Sequence, residues 1–170
     1  MPDYLTLVEF KEAMRIETGH EDAYCVSLLD AAESYLGDVD NGVLGRPVLQ
    51  AAFTEYYDGF DSIALCHPDT ATITVITYSD ENETAQTLGT IYRLEHGRLI
   101  LLDGEAWPEK TGTITVEYTA GWETAPAPIM AAGYFMAGSL YENRQAEGAL
   151  PAALQKTIAL MLAGYKRTSI

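Results

Sequence analysis

Positive charge is scarce in this chain. Ten lysines and arginines stand against 25 aspartates and glutamates, a formal net charge of -15 over 170 residues. That balance excludes unspecific adhesion to nucleic acid, which needs the opposite sign, and it disfavours an anionic membrane surface. Cysteine is scarcer still. Cys25 and Cys66 are the only two, so no disulfide framework is expected and both thiols should be reduced, in a cytosolic protein. A basic segment ahead of an apolar run is missing at Met1-Pro2-Asp3-Tyr4, so no secretory leader is expected. A Gly-x-Ser-x-Gly elbow, a phosphate loop and a dinucleotide fingerprint are all missing. Histidine offers only His20, His67 and His96. Cys66 and His67 are adjacent on a strand-like stretch and should point to opposite faces, so a converging zinc site is not expected.

Other acidic groups give no stronger lead to chemistry. Asp38-x-Asp40-Asn41-Gly42 faintly resembles a calcium loop, but its glycine comes one position early and the twelfth position is Leu49. Asp80, Glu81 and Glu83 read as a solvated turn tip. Cys25 falls on the apolar face of a helix and reads as a core residue. No cofactor, no metal and no catalytic residue is expected.

What the chain does have is apolar content, at 48% of residues. At 170 residues it is expected to be one domain, burying ~70% of its unfolded surface. Its organising stretch runs from Thr113 to Arg144. Ile114, Val116 and Tyr118 alternate with Thr115, Glu117 and Thr119 at strand spacing. Gly121 ends that strand, and Pro126 and Pro128 prepare a helix start. The helix beyond them is apolar almost all round, which predicts burial on all sides, yet it is short of the ~20 residues that span a bilayer. Gly133 and Gly138 cost it helix propensity, and close approach of another backbone is the expected compensation.

Before that stretch, Leu5 to Phe10 form a helix start. Thr6 is the expected N-cap, Glu9 completes a capping box, and Leu5 and Phe10 form a hydrophobic staple. This helix should run to about Thr18, with Gly19 as its left-handed stop. A second helix is expected from about Glu21 to Leu36, with Cys25, Leu28, Leu29, Ala32 and Leu36 on one face. From about Val48 the period changes to two. Strands are expected around Phe53–Tyr57, Ser62–Cys66, Thr72–Tyr78, Leu88–Leu94, Leu99–Leu102 and the run ending at Tyr118. A last helix starts at Pro151 with the stripe Leu154, Ile158, Met161, Leu162 and Tyr165, and Lys166 and Arg167 fall at its end. The expected fold is α+β: a four-helix bundle-like α core, helices at about 5–37 and 128–167, interrupted by an antiparallel β insertion at about 48–120.

A set of short motifs runs in order along nearly the whole chain. It comprises Leu5-Thr6-Leu7, Gly45-Arg46-Pro47, Tyr78-Ser79-Asp80, Val116 to Gly121, Pro128-Ile129, Tyr141-Glu142-Asn143-Arg144, Leu150-Pro151 and Tyr165-Lys166-Arg167. Together these resemble the phage head–tail connector proteins, the head-completion or adaptor family also found in prophages and gene transfer agents. The stretch Asp38 to Leu44 is a departure, because it delays the Gly-Arg element. The resemblance implies a helical bundle with a β insertion and no catalysis. It implies a homo-oligomeric ring under a portal protein, contact with a tail or stopper protein, and a passage for DNA without specific binding. It places the protein in the host cytoplasm during assembly and then at the head–tail interface of the particle.

Two residue clusters are the candidates for assembly contacts. Tyr141, Glu142 and Arg144 end the central helix, where Arg144 either neutralises a helix terminus or anchors a neighbour through a carboxylate fork. Lys166 and Arg167 either neutralise the last helix or form a docking tail. A different class also fits the composition: a small acidic enzyme or ligand-binding domain with a pocket in its β lobe.

Overall fold

The structure is a computed structural model that describes residues 4–143 and 151–166. The chain divides into two compact units. One comprises the chain up to Leu49 together with the chain from Trp122 onward, and the other is Gln50–Gly121.

The first unit is built from four helices: α1 (Leu7–Met14), α2 (Asp22–Gly37), α3 (Ala127–Glu142) and α4 (Ala152–Leu162). Thr6 caps α1 as its spacing predicts, its Oγ1 accepting the Glu9 N–H at 3.3 Å. The staple residues Leu5 and Phe10 are both buried. The helix stops at Met14, four residues before the expected end. Arg15 takes a left-handed conformation, φ 56°, and donates its N–H to Glu12 O, while Ile16 donates to Lys11 O. This paired closure lets the apolar Ile16 fold back onto the core just beyond the stop. Gly19 is therefore not the stop.

Leu5, Phe10, Cys25, Leu28, Leu29, Ala32, Leu36, Ile129, Ala132, Met136, Ile158 and Leu162 share one apolar cluster, so all four helices close a single core. α3 packs against each of the other three. It is not buried all round, however. Its inward residues are Ile129, Ala132, Gly133, Met136, Ala137 and Gly138, while Phe135 is 51% exposed. Nor do backbones approach its glycines. A Cβ on Gly133 would lie 2.6 Å from Leu5 Cδ1, and one on Gly138 would lie 3.0 Å from Met14 Sδ. Side chains of α1 and its lead-in segment fill these notches.

The second unit is a four-stranded antiparallel sheet and a two-stranded one. The larger sheet has the order β1 (Ala51–Tyr57), β6 (Thr111–Ala120), β2 (Thr72–Ser79) and β3 (Ala85–Thr87). β4 (Tyr92–Glu95) pairs with β5 (Arg98–Leu101). β6 is central and follows its alternation: Ile114, Val116, Tyr118 and Ala120 are all buried.

Two expected strands do not form as such. At Ser62–Cys66 a 3-10 turn, Phe60–Ser62, takes the start of the segment, with the Ser62 hydroxyl donating to Gly59 O at 2.7 Å. Only an isolated bridge, Ala64 to Arg98, follows. The expected strand at Leu88–Leu94 is split at Gly89. Leu88 donates to Ile76 O on β2, the backbone turns at Ile91 N–H to Gly89 O, and the rest becomes β4.

Candidate assembly surface

The last turn of α3 distributes its polar residues in two directions. Tyr141 points inward. Its ring meets Phe10 edge-on at 6.2 Å, and its hydroxyl donates to Glu21 Oε2 at 2.5 Å. This contact ties the end of α3 to the start of α2. Glu142 is exposed and lines a cleft of about 630 Å³ between the end of α1, α3 and the start of α4. Met14, Phe135, Pro151 and Leu154 give that cleft apolar walls. A second cleft, of about 420 Å³, lies along α1 and is lined by Leu7, Val8 and Ile16, by Glu12, Arg15 and Glu17, and by the partly exposed ion pair of Lys11 with Asp22, 2.5 Å apart. Such clefts can seat apolar side chains from another surface.

Lys166 is exposed, four residues past the last residue of α4, and its N–H donates to Leu162 O at 3.2 Å. It lies just past the C-terminal end of α4. Arg144 and Arg167 lie outside the described residues. Among the sequence candidates, then, Tyr141 and Glu142 sit on one helix end and face different neighbours, and Lys166 is separate from both.

The motif Gly45-Arg46-Pro47 has a structural role that sequence spacing did not reveal. The chain leaves α2 through a loop in which Asp38 Oδ1 accepts the N–H groups of Asp40 and Asn41 at 2.9 and 2.7 Å. These two donors, Asn41 first, hold the Asp38 carboxyl below the usual carboxylate range. That spends on loop closure the carboxylate which had suggested a calcium loop. Gly45 then takes φ 61°, and Arg46 turns inward. Its guanidinium lies 4.2 Å from the centroid of the Trp122 ring, a cation–π contact. Trp122 meets Tyr165 edge-on at 5.9 Å. Arg46, Trp122 and Tyr165 thus join three distant parts of the sequence at one corner of the helical unit.

Two further polar groups were missed, one buried and one half-buried. Glu33 is only 4% exposed and accepts both the Tyr4 and Leu5 N–H groups at Oε1, each at 2.6 Å. Burial, then the Glu33 charge, pushes the Tyr4 hydroxyl far above its ordinary value. In the β unit, Glu55 accepts hydrogen bonds from the Tyr118 and Tyr57 hydroxyls and from the Cys66 N–H, the last at 3.0 Å. Burial alone would raise the Glu55 pKa, but these donors, Tyr118 foremost, outweigh it and hold it low. Burial and Glu55 together push both tyrosine hydroxyls strongly up. A signal was present: Phe53, Glu55 and Tyr57 share one face of β1 by their spacing, opposite the inward face of β6. Among the described residues no cluster of three or more metal-ligating side chains occurs. No helix among them is long and apolar enough to cross a membrane.

No family model matches the sequence. No curated protein matches it either. Solved structures do match, over essentially the whole chain. A chain in the neck of an empty gene transfer agent particle, computed with C6 symmetry, superposes with a TM-score of 0.66 at 20% identity, covering 98% of this chain and 91% of that one. The chain has the fold of a gene transfer agent neck protein. A chain in the virion of the native particle gives 0.65 at 22% identity, with 100% and 93% covered. A chain in the native neck, computed with C12 symmetry, gives 0.61 at 16% identity, with 98% and 91% covered. These neighbours are consistent with the head–tail connector resemblance, at low identity.

Proposed function

We propose that this protein is a structural head–tail connector subunit, one of a ring of copies under a portal that joins head to tail and lines the DNA passage. The observation that carries this is the end-to-end fold match to chains of gene transfer agent particles, whose necks were computed with C6 and C12 symmetry. The neighbours cover this chain almost completely, so helical and β units match together rather than one alone. The charge suits the role. At -15 the protein lacks the cationic lining that would retain phosphates, and DNA must slide through such a ring. Portal and tail or stopper proteins are the partners that this reading requires.

An enzyme or ligand-binding domain would need convergent polar groups free to meet a substrate. The most convergent group of the β unit, Glu55, is instead occupied by tyrosine and backbone donors. The clefts described above lie against helices of the other unit, and the ion pair of Lys11 with Asp22 in one of them is already closed.

The test is electron microscopy of the purified protein incubated with its portal. Rings of this protein seated on the portal are expected; a protein that never enters portal complexes overturns the reading. The docking assignment of Lys166 and Arg167 has its own test. Removing residues 166–170 should preserve the circular dichroism spectrum and abolish capture by immobilised portal. Full capture by the truncated protein removes that assignment. Duplex DNA should not shift in a gel at micromolar protein near physiological salt.

A further inference from the structure

The outward faces of α2 and α4 form an unusual pair. On α2 the exposed residues Ala23, Val26, Ser27, Asp30, Ala31 and Ser34 recur at helical spacing, with Tyr35, 49% exposed, at their edge, and Asp30 is the only charge among them. On α4 the exposed residues are Ala152, Ala153, Gln155, Lys156, Thr157, Ala159 and Leu160, and the only charge among them is Lys156. Each face therefore has several small residues, a single charge among them, and an exposed apolar side chain beside it. Val26 is 42% exposed and Leu160 72% exposed. A surface helix of a very acidic chain would ordinarily be dense in charge; these two are not, and their lone charges have opposite sign.

Both helices pack on α3, with these faces turned to the side opposite their buried residues. They are two different patches of one subunit. A ring with cyclic symmetry is made by just such head-to-tail contacts, in which one patch of each copy meets a different patch of the next. We infer that the α4 face of one copy docks on the α2 face of the next, with Lys156 against the neighbour's Asp30 and Leu160 against the neighbour's Val26. The occupant of each face is a second copy of this chain, because the charge that one face lacks is what the other supplies. The inference rests on the ring reading above and adds the surfaces that would close the ring.

The test exploits the directionality of the contact. Asp30→Lys presents lysine on both faces, and Lys156→Asp presents aspartate on both, so each variant alone repels itself. Mixed together they alternate, and every contact regains one charge of each sign. Sedimentation velocity of the purified full-length protein, up to millimolar concentration at low salt, is the readout. The wild type should self-associate, each single variant should lose apparent affinity by about tenfold or more, and the equimolar mixture and the Asp30→Lys/Lys156→Asp double variant should both recover. Leu160→Asp should also lose association with an unchanged thermal melt, since that side chain is solvent-exposed.

Association that ignores all these substitutions overturns the inference and leaves the ring reading standing. A wild type that stays monomeric throughout, or that binds only portal, overturns docking between these faces as well. Failure to form rings on portal, seen by microscopy, is the separate result that would overturn the ring reading itself.

Discussion

The two units solve the same problem, an apolar core containing polar groups, in different ways. The helical unit joins segments from both ends of the sequence. Leu5 fills the notch at Gly133, and buried Glu33 clamps the backbone of Tyr4 and Leu5. The β unit is continuous in sequence, and its carboxylate, Glu55, is held by side chains of its own sheet, Tyr57 and Tyr118. One unit uses an acid to pin a chain segment that would otherwise be entropically free. The other uses an acid to fix tyrosines on a sheet face. The partners differ accordingly: Glu33 holds the backbone of a distant segment, whereas Glu55 holds two tyrosine hydroxyls together with the Cys66 N–H.

Breaking the tether should have the largest effect. Glu33→Leu leaves two N–H groups without their acceptor in a buried place, which should cost roughly 2–5 kcal/mol. The tryptophans make this separable, since Trp107 lies in the β unit and Trp122 in the helical one. Because the two apolar clusters share no residue, denaturant unfolding followed by Trp122 in a Trp107→Phe background should shift strongly. The transition followed by Trp107 in a Trp122→Phe background should shift less. Equal shifts at both would show that the units unfold as one.

The notches come next. Gly133→Ala forces Leu5, itself buried, out of a 2.6 Å approach and should cost about 1–3 kcal/mol. Gly138→Ala meets only the flexible thioether of Met14 and regains helix propensity, so the change should stay within ~1 kcal/mol of zero. Gly138→Leu, by contrast, should cost about 1–3 kcal/mol by overpacking. Thermal melts of the three variants check that order. A Gly133→Ala protein as stable as the parent would mean that Leu5 is not the filler.

The local chemistry of the fold was legible in the sequence where neighbours in the chain decide it. Thr6, Leu5 and Phe10 announced the start of α1, and the alternation of Thr72 to Tyr78 and Ile114 to Tyr118 announced β2 and β6. It was least legible where a distant residue decides. α1 ends at Met14 because Ile16 has a core to return to. The segment at Leu88–Leu94 is divided because its two halves have different partners, β2 and β5. Phe135 is exposed although its helix is apolar all round, a pattern that periodicity alone reads as burial. For the assembly surface, Tyr141 and Glu142 were nameable from their polar contrast with the helix before them. Asp30 and Lys156 were also visible, as lone charges on otherwise uncharged faces, but helical spacing gives no sign of which face is left uncovered.

Glu55 extends the comparison to pH. Its carboxyl is held below its ordinary value when folded, so its contribution is fully present above the unfolded value, about 4.3, and is lost as pH falls through the lower folded one. Glu55→Gln should therefore cost about 1 kcal/mol at neutral pH, reduced by partial solvent screening. The difference from the parent should shrink as pH drops below about 4. Urea titrations at pH 7 and pH 3.5 provide the check. A difference that grows on acidification would mean the carboxyl is held in its protonated form instead.

The smallest effect tests a detail of the tether's own helix. The capping box at α1 is not closed directly. The Thr6 N–H donates to the Tyr134 hydroxyl at 2.9 Å, and that hydroxyl donates to the Glu9 carboxylate, so a side chain of α3 stands between the two halves of the box. Burial, then the Glu9 acceptor, raises the Tyr134 pKa, so the phenol stays protonated and able to donate at neutral pH. The site is open to water, which can replace a lost partner, so Tyr134→Phe should cost only about 0.5–1 kcal/mol. Magnitude alone would not distinguish this relay from an ordinary surface hydrogen bond, but additivity does. If Glu9 acts through Tyr134, then Glu9→Ala and Tyr134→Phe remove the same interaction, and the double variant should be little worse than either single one. If Glu9 instead swings back to the Thr6 N–H whenever the phenol is absent, Glu9→Ala should cost more in the Tyr134→Phe background than in the parent. A double-mutant cycle by chemical denaturation decides between the two, and a larger Glu9→Ala cost in the phenylalanine background would remove the relay.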